Sequence, residues 1–365
     1  MFRAILNTIL IESWTMRTAA VLTEYDTPLD LRDVEEATPS PTGIAVETDA
    51  CGICRSDWHA WKGHWPSVPT DGHILGHEPA GTVIAVGDEV ENYSIGDQVG
   101  IPFNIACGCC DNCWSGKSHL CTDGLSLGFA RDLPGAFASE FTIPKADFNA
   151  VHLPDGMSSV EMAGLGCRFA TAFHGLAHKV NVCAGDWLAV HGCGGIGLSV
   201  VNIGAALGAN VVAVDLNEDA LALAKEVGAT ATVNAGDQDV SKAIRDITNG
   251  GADISVDALG IAETCRNSID CLAEQGQHVQ IGMTTDEEAG EIGLPVDKMV
   301  NTELEFVGVK GMPPNRYPEL FRMIAGGKLS PVDLVTDEVR LSDVSDQLRS
   351  MDDYDTLGME VVTEF

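Results

Sequence analysis

The chain is poor in basic residues, in aromatic residues and in long apolar runs. Its 365 residues include 21 Lys and Arg against 54 Asp and Glu, and the formal net charge is −33. A surface of this sign repels phosphate backbones and anionic lipid, so nucleic acids and membrane surfaces are poor partners. No apolar run reaches the roughly 18–20 residues that a membrane-spanning helix needs, which excludes a spanning protein. With 45% hydrophobic residues and 39 Gly, the composition is that of a globular protein rich in turns.

The acidic residues are spread along the whole chain and form no acidic tail, while only nine residues are Lys. This charge has two interpretations. One is a very soluble mesophilic protein, and the other is adaptation to concentrated salt, where charges are screened within about 3 Å at 1 M. The second is favoured, because like charges at this density repel one another in dilute buffer.

Six of the 12 cysteines fall between Cys51 and Cys113, in Cys-x-x-Cys spacings near histidines. Such spacings indicate metal binding in a reducing cytosol rather than a disulfide framework, so we expect a cytoplasmic protein. Residues 1–15 hold a short apolar stretch without a small-residue cleavage site, a weak signal peptide at best. Because a strand-like run follows a second methionine, Met16, residues 1–15 are expected to be either a dispensable extension or the product of a misplaced start.

The residue pattern divides the chain into two parts. From residue 17 to about 154, short β runs alternate with Gly and Pro, which predicts an irregular β domain. From Ser158 onwards, apolar strands such as WLAVHG and NVVAVDL alternate with helical stretches at 196–208, 218–227 and 262–274, which predicts an α/β domain with a doubly wound parallel sheet. The tail, with a helix at 318–325, is expected to return to the first domain. The predicted boundaries are 16–165 with 310–365 for the first domain, and 166–309 for the second.

A glycine-rich turn lies at the start of the second domain. The strand WLAVHG runs into a Gly-x-Gly-x-x-Gly turn and an Ala-rich helix, and the next strand ends in Asp215 about 20 residues on. In this context the turn predicts a dinucleotide site, with the pyrophosphate at the helix N-terminus. The Asp215 carboxylate can bind the adenosine ribose hydroxyls and would repel a 2′-phosphate, so NAD is favoured over NADP. The predicted contacts of the turn are Gly192, Gly194, Gly195, Ile196 and Gly197.

Four cysteines in a Gly-rich loop form the pattern Cys-x2-Cys-x2-Cys-x7-Cys. Four thiolates make a closed tetrahedral shell, which is the structural type of zinc site. The loop has little apolar material on which to fold, so the metal is expected to hold it. The predicted ligands are Cys107, Cys110, Cys113 and Cys121, and Cys109 is an additional thiol outside this pattern.

A second metal site is predicted from Cys54 and His77, with Cys167 as a third candidate ligand far away in sequence. Two thiolates and one imidazole leave a fourth position for water or substrate, which is the catalytic type of zinc site. Glu78 could act as an outer or transient ligand. Asp57 could hold the second ring nitrogen of His77 and so define its tautomer.

The segments CGICRSD and GHE followed by PAG, the four-cysteine loop and the glycine turn stand in one order along the chain. Together they resemble the zinc-dependent medium-chain alcohol dehydrogenases over nearly the whole length from Met16. The resemblance implies a GroES-like catalytic domain, a Rossmann domain, and two zinc ions per chain. It also assigns Cys54 rather than Cys51 to the catalytic zinc.

The same resemblance implies roles for further residues. Trp65 and Phe103 would line a pocket for small or medium-sized alcohols, and Ser56 would pass the alcohol proton by way of the ribose hydroxyls to His59 at the surface. Zinc would act as a Lewis acid, and hydride would pass to the nicotinamide. A homo-oligomer, a dimer or tetramer, is also implied. Further cofactor contacts are expected at Arg55, Thr171 and Ile281.

Three functional hypotheses compete. The first is reversible oxidation of an alcohol to an aldehyde or ketone. The second is a related dehydrogenase for a polyol, sugar or amino alcohol, against which Cys167 argues, because polyol enzymes of the family commonly have Glu there. The third is a non-catalytic dinucleotide-binding protein of the same fold, which the intact set of zinc ligands makes improbable.

Overall fold

A computed structural model describes residues 16–285, 288–353 and 356–365 of the chain. The predicted extension at residues 1–15 lies outside these ranges.

The first part of the chain forms β-sheets that are mostly antiparallel. One sheet has the order β2-β1-β4, and a larger one has the order β10-β6-β5-β3-β18-β17 with β9 also paired to β3. β7 and β8 form a small separate pair. The strands of this part are β1 (Met16–Leu22), β2 (Asp30–Glu35), β3 (Ile44–Ile53), β4 (His73–Ile74), β5 (Glu78–Val86), β6 (Gln98–Gly100), β7 (Asn104–Ile105), β8 (Leu125–Ser126), β9 (Glu140–Ile143) and β10 (Val151–His152).

Short helices connect these strands and lead into the second part. The helix that follows β10 begins with a capping box, in which the Ser158 hydroxyl accepts a hydrogen bond from the Glu161 backbone N–H and the Glu161 carboxylate accepts one from the Ser158 backbone N–H. These helices are α1 (Arg55–Lys62), α2 (Asp111–Trp114), α3 (Ala146–Asn149), α4 (Ser159–Gly164) and α5 (Cys167–His174), which continues as a π-helical turn over Gly175–Lys179.

The second part contains a six-stranded parallel sheet with the order β13-β12-β11-β14-β15-β16. Its central strands β11 and β12 carry apolar runs of Leu, Ala and Val because helices cover both faces. The strands are β11 (Trp187–His191), β12 (Asn210–Asp215), β13 (Ala231–Asn234), β14 (Ala252–Asp257), β15 (Leu272–Gln280) and β16 (Glu305–Gly308). The helices are α6 (Gly195–Leu207), α7 (Glu218–Glu226), α8 (Val240–Thr248), α9 (Ala262–Asp270) and α10 (Val296–Asn301).

The predicted helix over residues 262–274 is too long. α9 ends at Asp270, and residues from Leu272 onwards already belong to β15. The reason is a tertiary contact, because Leu272 pairs with Ala252 of β14 and the Ala252 N–H donates to the Cys271 carbonyl.

After the parallel sheet the chain returns to the first part. The last two strands are parallel to each other, and the final strand pairs with β3, so residues from both ends of the chain share one sheet. The elements of this tail are α11 (Tyr317–Ala325), β17 (Val335–Arg340), α12 (Val344–Ser350) and β18 (Met359–Glu364). Short 3-10 turns lie in the tail at Pro314–Arg316, Pro331–Leu334, Leu341–Asp343 and Met351–Asp353, and in the first part of the chain at Ser118–Leu120.

Candidate functional site

Three segments that lie far apart in sequence bring four potential metal ligands together. Cys54 directly precedes α1, His77 and Glu78 stand at the start of β5, and Cys167 is the first residue of α5. One potential ligand atom from each of these four residues lies within 4.8 Å of the others. Cys51, on the buried strand β3, is outside this group, in agreement with its exclusion by the family resemblance.

The orientation of His77 fits a metal ion. Its Nδ1 lies 2.9 Å from Asp57 Oδ1, and both side chains are fully buried. Its Nε2 is also buried and has no hydrogen-bond partner in the described structure. Buried ring nitrogens are rarely left unpaired, and a histidine that ligates a metal commonly donates its other N–H to a carboxylate. The residues present therefore fit a zinc ion at Nε2.

Asp57 also holds the backbone around both candidate ligands. Its Oδ2 accepts the Cys54 N–H at 3.0 Å, and its Oδ1 accepts the Gly76 N–H at 3.1 Å. The Cys167 thiol beside Cys54 holds the pKa of the Cys54 thiol well below its usual range. A lowered thiol pKa favours the thiolate form, which is the form that binds a metal.

Arg168 is a site residue that sequence reasoning missed. Its guanidinium pairs with the Glu78 carboxylate, with Nη2 at 2.6 Å from Oε2, and its backbone N–H donates to Oε1 at 3.1 Å. Burial raises the pKa of Glu78, against the opposing charge of Arg168. An ideal Cβ at Gly195 would lie 2.7 Å from Arg168 Cδ, so Arg168 bridges the metal-ligand group and the glycine turn. Its position directly after Cys167 was the available sequence signal.

Aromatic rings line one side of the metal-ligand group. The ring centroids of Phe103 and His77 are 5.7 Å apart. Trp65 is linked to the group through Phe129, whose ring lies 5.2 Å from Trp65 and 4.7 Å from His77. Phe129 was not predicted, because nothing in its local sequence distinguishes it from a packing residue.

The helix α1 carries the predicted proton-relay residues. Ser56 lies in its first turn and is partly exposed. His59 is only 7% exposed, which corrects the expectation that it stands at the surface. Its Nδ1 is 2.8 Å from Nδ1 of His64, and its ring stacks on Trp65 at 5.7 Å. Burial follows because α1 packs with Trp58 and Trp61 into the core of the β part.

The four-cysteine loop forms a lobe over residues 107–121, the four-cysteine lobe, which brings together the thiols that were predicted to bind zinc. Cys107, Cys110, Cys113 and Cys121 each offer a sulfur within 4.8 Å of the other three. A backbone hydrogen bond from Cys113 lowers the pKa of Cys110 to about 5. Cys109 is exposed and lies outside this group, with its sulfur 3.6 Å from that of Cys107. Four sulfurs around one point, with no open position, fit a structural zinc.

The glycine turn has the shape that a dinucleotide requires. Gly192 has a φ of +92°, and a side chain at Gly197 would collide with the Gly192 carbonyl, so both positions need glycine. Asp215 ends β12 and stays partly exposed. Its Oδ2 accepts the Cys193 N–H at 2.6 Å, which holds the carboxylate beside the turn. Gly194, Gly195 and Ile196 lead into α6, as predicted.

The remaining expected cofactor contacts lie on three different elements. Thr171 is buried in α5 and donates its hydroxyl hydrogen to the Cys167 carbonyl at 2.6 Å. Ile281 follows β15 and is buried, and its N–H donates to the Asp257 carbonyl. Arg55 donates to the Met351 carbonyl at 2.9 Å and lies over the ring of Trp58 at 4.2 Å.

None of the helices in the described ranges combines the length and apolar character needed to span a lipid bilayer.

Comparison with known proteins agrees with this site. Residues 40–155 match the family model described as the alcohol dehydrogenase GroES-like domain, and residues 195–326 match that of the zinc-binding dehydrogenases. An alcohol dehydrogenase of Geobacillus stearothermophilus is 32% identical over 331 residues, which is 90% of this chain and 95% of the relative.

Solved structures show the same similarity. The alcohol dehydrogenase of Thermus sp. ATN1 superposes with a TM-score of 0.86 at 26% identity, covering 95% of this chain and 100% of the other. A protein of Sinorhizobium meliloti 1021, described as a zinc-binding dehydrogenase and solved with NADP, gives a TM-score of 0.85 at 26% identity, covering 96% and 99%.

Proposed function

The chain belongs to the zinc-dependent medium-chain alcohol dehydrogenase family, and from this premise we propose that it oxidises small to medium-sized alcohols reversibly to aldehydes or ketones with NAD. That it is an oxidoreductase of the alcohol dehydrogenase type follows from the family itself. The observation that carries the proposal is the unpartnered, buried Nε2 of His77, which faces the Cys54 and Cys167 thiols beside an aromatic wall.

Cys54, His77 and Cys167 would hold a catalytic zinc, which when bound supplies Lewis-acid polarisation of an alcohol or carbonyl oxygen. Asp57 keeps the His77 proton on Nδ1 and leaves Nε2 free for the metal. The carboxylate of Glu78 stays turned to Arg168, so it acts as an outer group rather than as a fourth ligand. The aromatic rings exclude water from the reacting carbon.

The alcohol proton leaves through α1 in this proposal. Ser56 Oγ accepts the proton from the substrate hydroxyl and passes it on by way of the cofactor ribose to His59. Because His59 is buried and its Nδ1 faces His64, we extend the relay by one step, so that His64 carries the proton towards solvent. His64 is more exposed than His59, which supports this direction.

NAD is the proposed cofactor, bound at Gly192, Gly194 and Gly197 with its adenosine ribose at Asp215. Its carboxylate lies at the end of β12 beside the turn, where a 2′-phosphate would be repelled. The proposed homo-oligomer rests on the family and on the exposed edge strand β16, where Phe306 is 40% exposed. A cytoplasmic location is proposed from the many free thiols.

The proposed function is tested by zinc content and turnover measured together. Wild-type protein should hold two zinc ions per chain and reduce NAD with simple alcohols in a panel that also contains polyols and sugars. His77→Ala should lose turnover and retain only one zinc, because the lobe is untouched. The matched control is His152→Ala, since His152 is exposed and lies on β10. A zinc content near zero, or turnover of polyols and sugars alone, would contradict the proposal.

A further inference from the structure

A small polar cavity lies between the four-cysteine lobe, strand β7 and the segment that follows β16. Its volume is about 30 Å³, and it is partly open to solvent. None of the described side chains that line it is a carboxylate. The lining residues are Asn104, Ile105, Ser118, His119, Cys121, Gly124, Leu125, Ser126 and Lys310.

Two buried polar atoms at this cavity have no partner in the described structure. Asn104 is 5% exposed and its Nδ2 is unpaired, and His119 is 7% exposed and its Nδ1 is unpaired. Native proteins leave few such groups unsatisfied, so a buried amide donor and a buried ring nitrogen at one cavity call for a ligand. The amide nitrogen of Asn104 is a pure donor, and His119 can donate in the tautomer with hydrogen on Nδ1.

Positive charge gathers at the same place, although the chain as a whole is strongly acidic. The positive charges of Lys117, Lys179 and Lys310, three of the nine lysines of the chain, all act electrostatically on the His119 ring. The ring of His174 also faces His119, at 4.8 Å, and its pKa is lowered to about 4 by burial and by neighbouring positive groups.

One negative group near this region, the Glu319 carboxylate, is already engaged. The Glu319 carboxylate is held by His178 at 2.8 Å and by Arg316 at 2.6 Å, on the far side of His174. Cys121 is one of the candidate zinc ligands of the lobe. Among the cavity residues, Lys310 therefore has no opposing carboxylate, and a bound anion would supply one.

The cavity adjoins the candidate substrate pocket. Phe103, whose ring faces His77, directly precedes Asn104. Both side chains converge on Gly311, where a Cβ would collide with the Asn104 amide and lie 3.2 Å from Phe103 Cζ. Gly311 has a φ of +53° and follows Lys310. The aromatic ring of Phe103 and the cavity at Asn104 thus meet at Gly311.

We propose that this cavity binds the anionic group, a carboxylate or a phosphate, of an alcohol substrate whose hydroxyl end lies at the Cys54–His77–Cys167 group. Asn104 Nδ2 and His119 Nδ1 donate hydrogen bonds to the anion, and the Lys310 ammonium supplies the charge. The substrate class is then a small hydroxy acid or phosphorylated alcohol. This assignment of the substrate rests on the proposed function, whereas the anion site itself does not.

The anion site is tested by direct binding of inorganic phosphate and of acetate to zinc-loaded protein, measured by titration calorimetry. The measurements use the lowest KCl concentration at which the melting temperature has reached its plateau. Lys310→Met should weaken binding about tenfold, equivalent to about 1.4 kcal/mol. Lys310 is exposed, so the variant should fold, and Lys225→Met, an exposed lysine on α7, removes the same charge elsewhere as the control. Absence of saturable binding, or equal weakening in both variants, would overturn the site.

A kinetic comparison tests whether the anion belongs to the substrate. The ratio of kcat/KM for an ω-hydroxy carboxylate to that for the uncharged alcohol of the same length should fall about tenfold in Lys310→Met and stay unchanged in Lys225→Met. If phosphate binding weakens while this ratio stays constant, the site takes a free anion and the substrate assignment is wrong. If phosphate binds but zinc-loaded protein oxidises no alcohol at all, the proposed function fails and the anion site stands.

Discussion

Substitutions of Ser56 and His59 should lower the oxidation rate to different extents, because the two residues lie at different distances from the candidate metal ligands along the same helix. Ser56 lies two residues after the candidate ligand Cys54, whereas His59 is buried behind it and faces His64. Ser56→Ala should therefore lower the rate of alcohol oxidation by about 10²–10⁴, the usual contribution of a positioned proton acceptor. His59→Gln should lower the rate less, because His59 lies one relay step farther from the reacting oxygen than Ser56. The measurement is the pH–rate profile of both variants.

His152→Gln serves as the control for these variants, since His152 is an exposed histidine on β10. Oxidation at the wild-type rate by Ser56→Ala would mean that the alcohol proton leaves by another route.

We expect the carboxylate of Asp215 to determine whether the protein prefers NAD or NADP. Two backbone N–H groups, from Cys193 at 2.6 Å and Asn217 at 2.9 Å, already use part of its hydrogen-bonding capacity. A carboxylate has about four acceptor positions, so the ribose hydroxyls can still bind. Asp215→Gly should shift the ratio of kcat/KM towards NADP by about tenfold, or about 1.4 kcal/mol.

Asp237→Gly removes the same charge from an exposed turn and should leave the cofactor ratio unchanged. A wild-type preference for NADP of about tenfold or more would show that another group reads the ribose.

The four-cysteine lobe is an element without a core of its own. Apart from two short helical turns, Asp111–Trp114 and Ser118–Leu120, it is loop, and the Trp114 side chain points into solvent with 82% exposure. A metal would have to supply what apolar packing does not. Cys113→Ser should therefore lower zinc content from two to one and reduce the free energy of unfolding by about 4 kcal/mol or more. Zinc analysis and chemical denaturation measure the two effects together.

Cys109→Ser is the matched control for the lobe, because Cys109 is exposed and lies outside the ligand group. Full stability with two bound zinc ions in Cys113→Ser would show that the lobe assignment is wrong.

At the scale of the whole molecule, charge is the dominant feature. Even a single edge strand, β2, carries three exposed acidic residues, Asp30, Asp33 and Glu35. At 0.1 M salt such charges repel one another over about 10 Å, whereas concentrated salt confines the repulsion to contact distance. The melting temperature should therefore rise on addition of roughly 2–4 M KCl, where the screening length is below about 3 Å.

Sucrose at matched osmolality is the control for this thermal melt, since it stabilises proteins by exclusion without screening charge. A melting temperature that is unchanged or higher in dilute buffer would contradict adaptation to salt.

The sequence by itself determined the features that depend on local spacing. The lobe cysteines and the glycine turn are short patterns. Strands β11 to β14 and the second half of β15 are apolar runs that the sequence identified as strands, whereas β16 was not identified. The helices at 196–208 and 218–227 agree with α6 and α7 to within one residue. α8 was missed, although its apolar residues recur at helical spacing from Val240 to Ile247 and its N-terminus is capped by Asp239.

Tertiary structure decided everything that joins distant segments. The bridge from Arg168 to Glu78, the placement of Phe129 beside His77, and the burial of His59 against His64 and Trp65 come from packing between elements. The end of α9 depends on pairing between β14 and β15. The charges of the lysines at positions 117, 179 and 310 act on one histidine because the four-cysteine lobe, the turn after α5 and the segment after β16 come near one another in space. Local spacing encodes ligands and turns, whereas long-range packing determines which side chains face them.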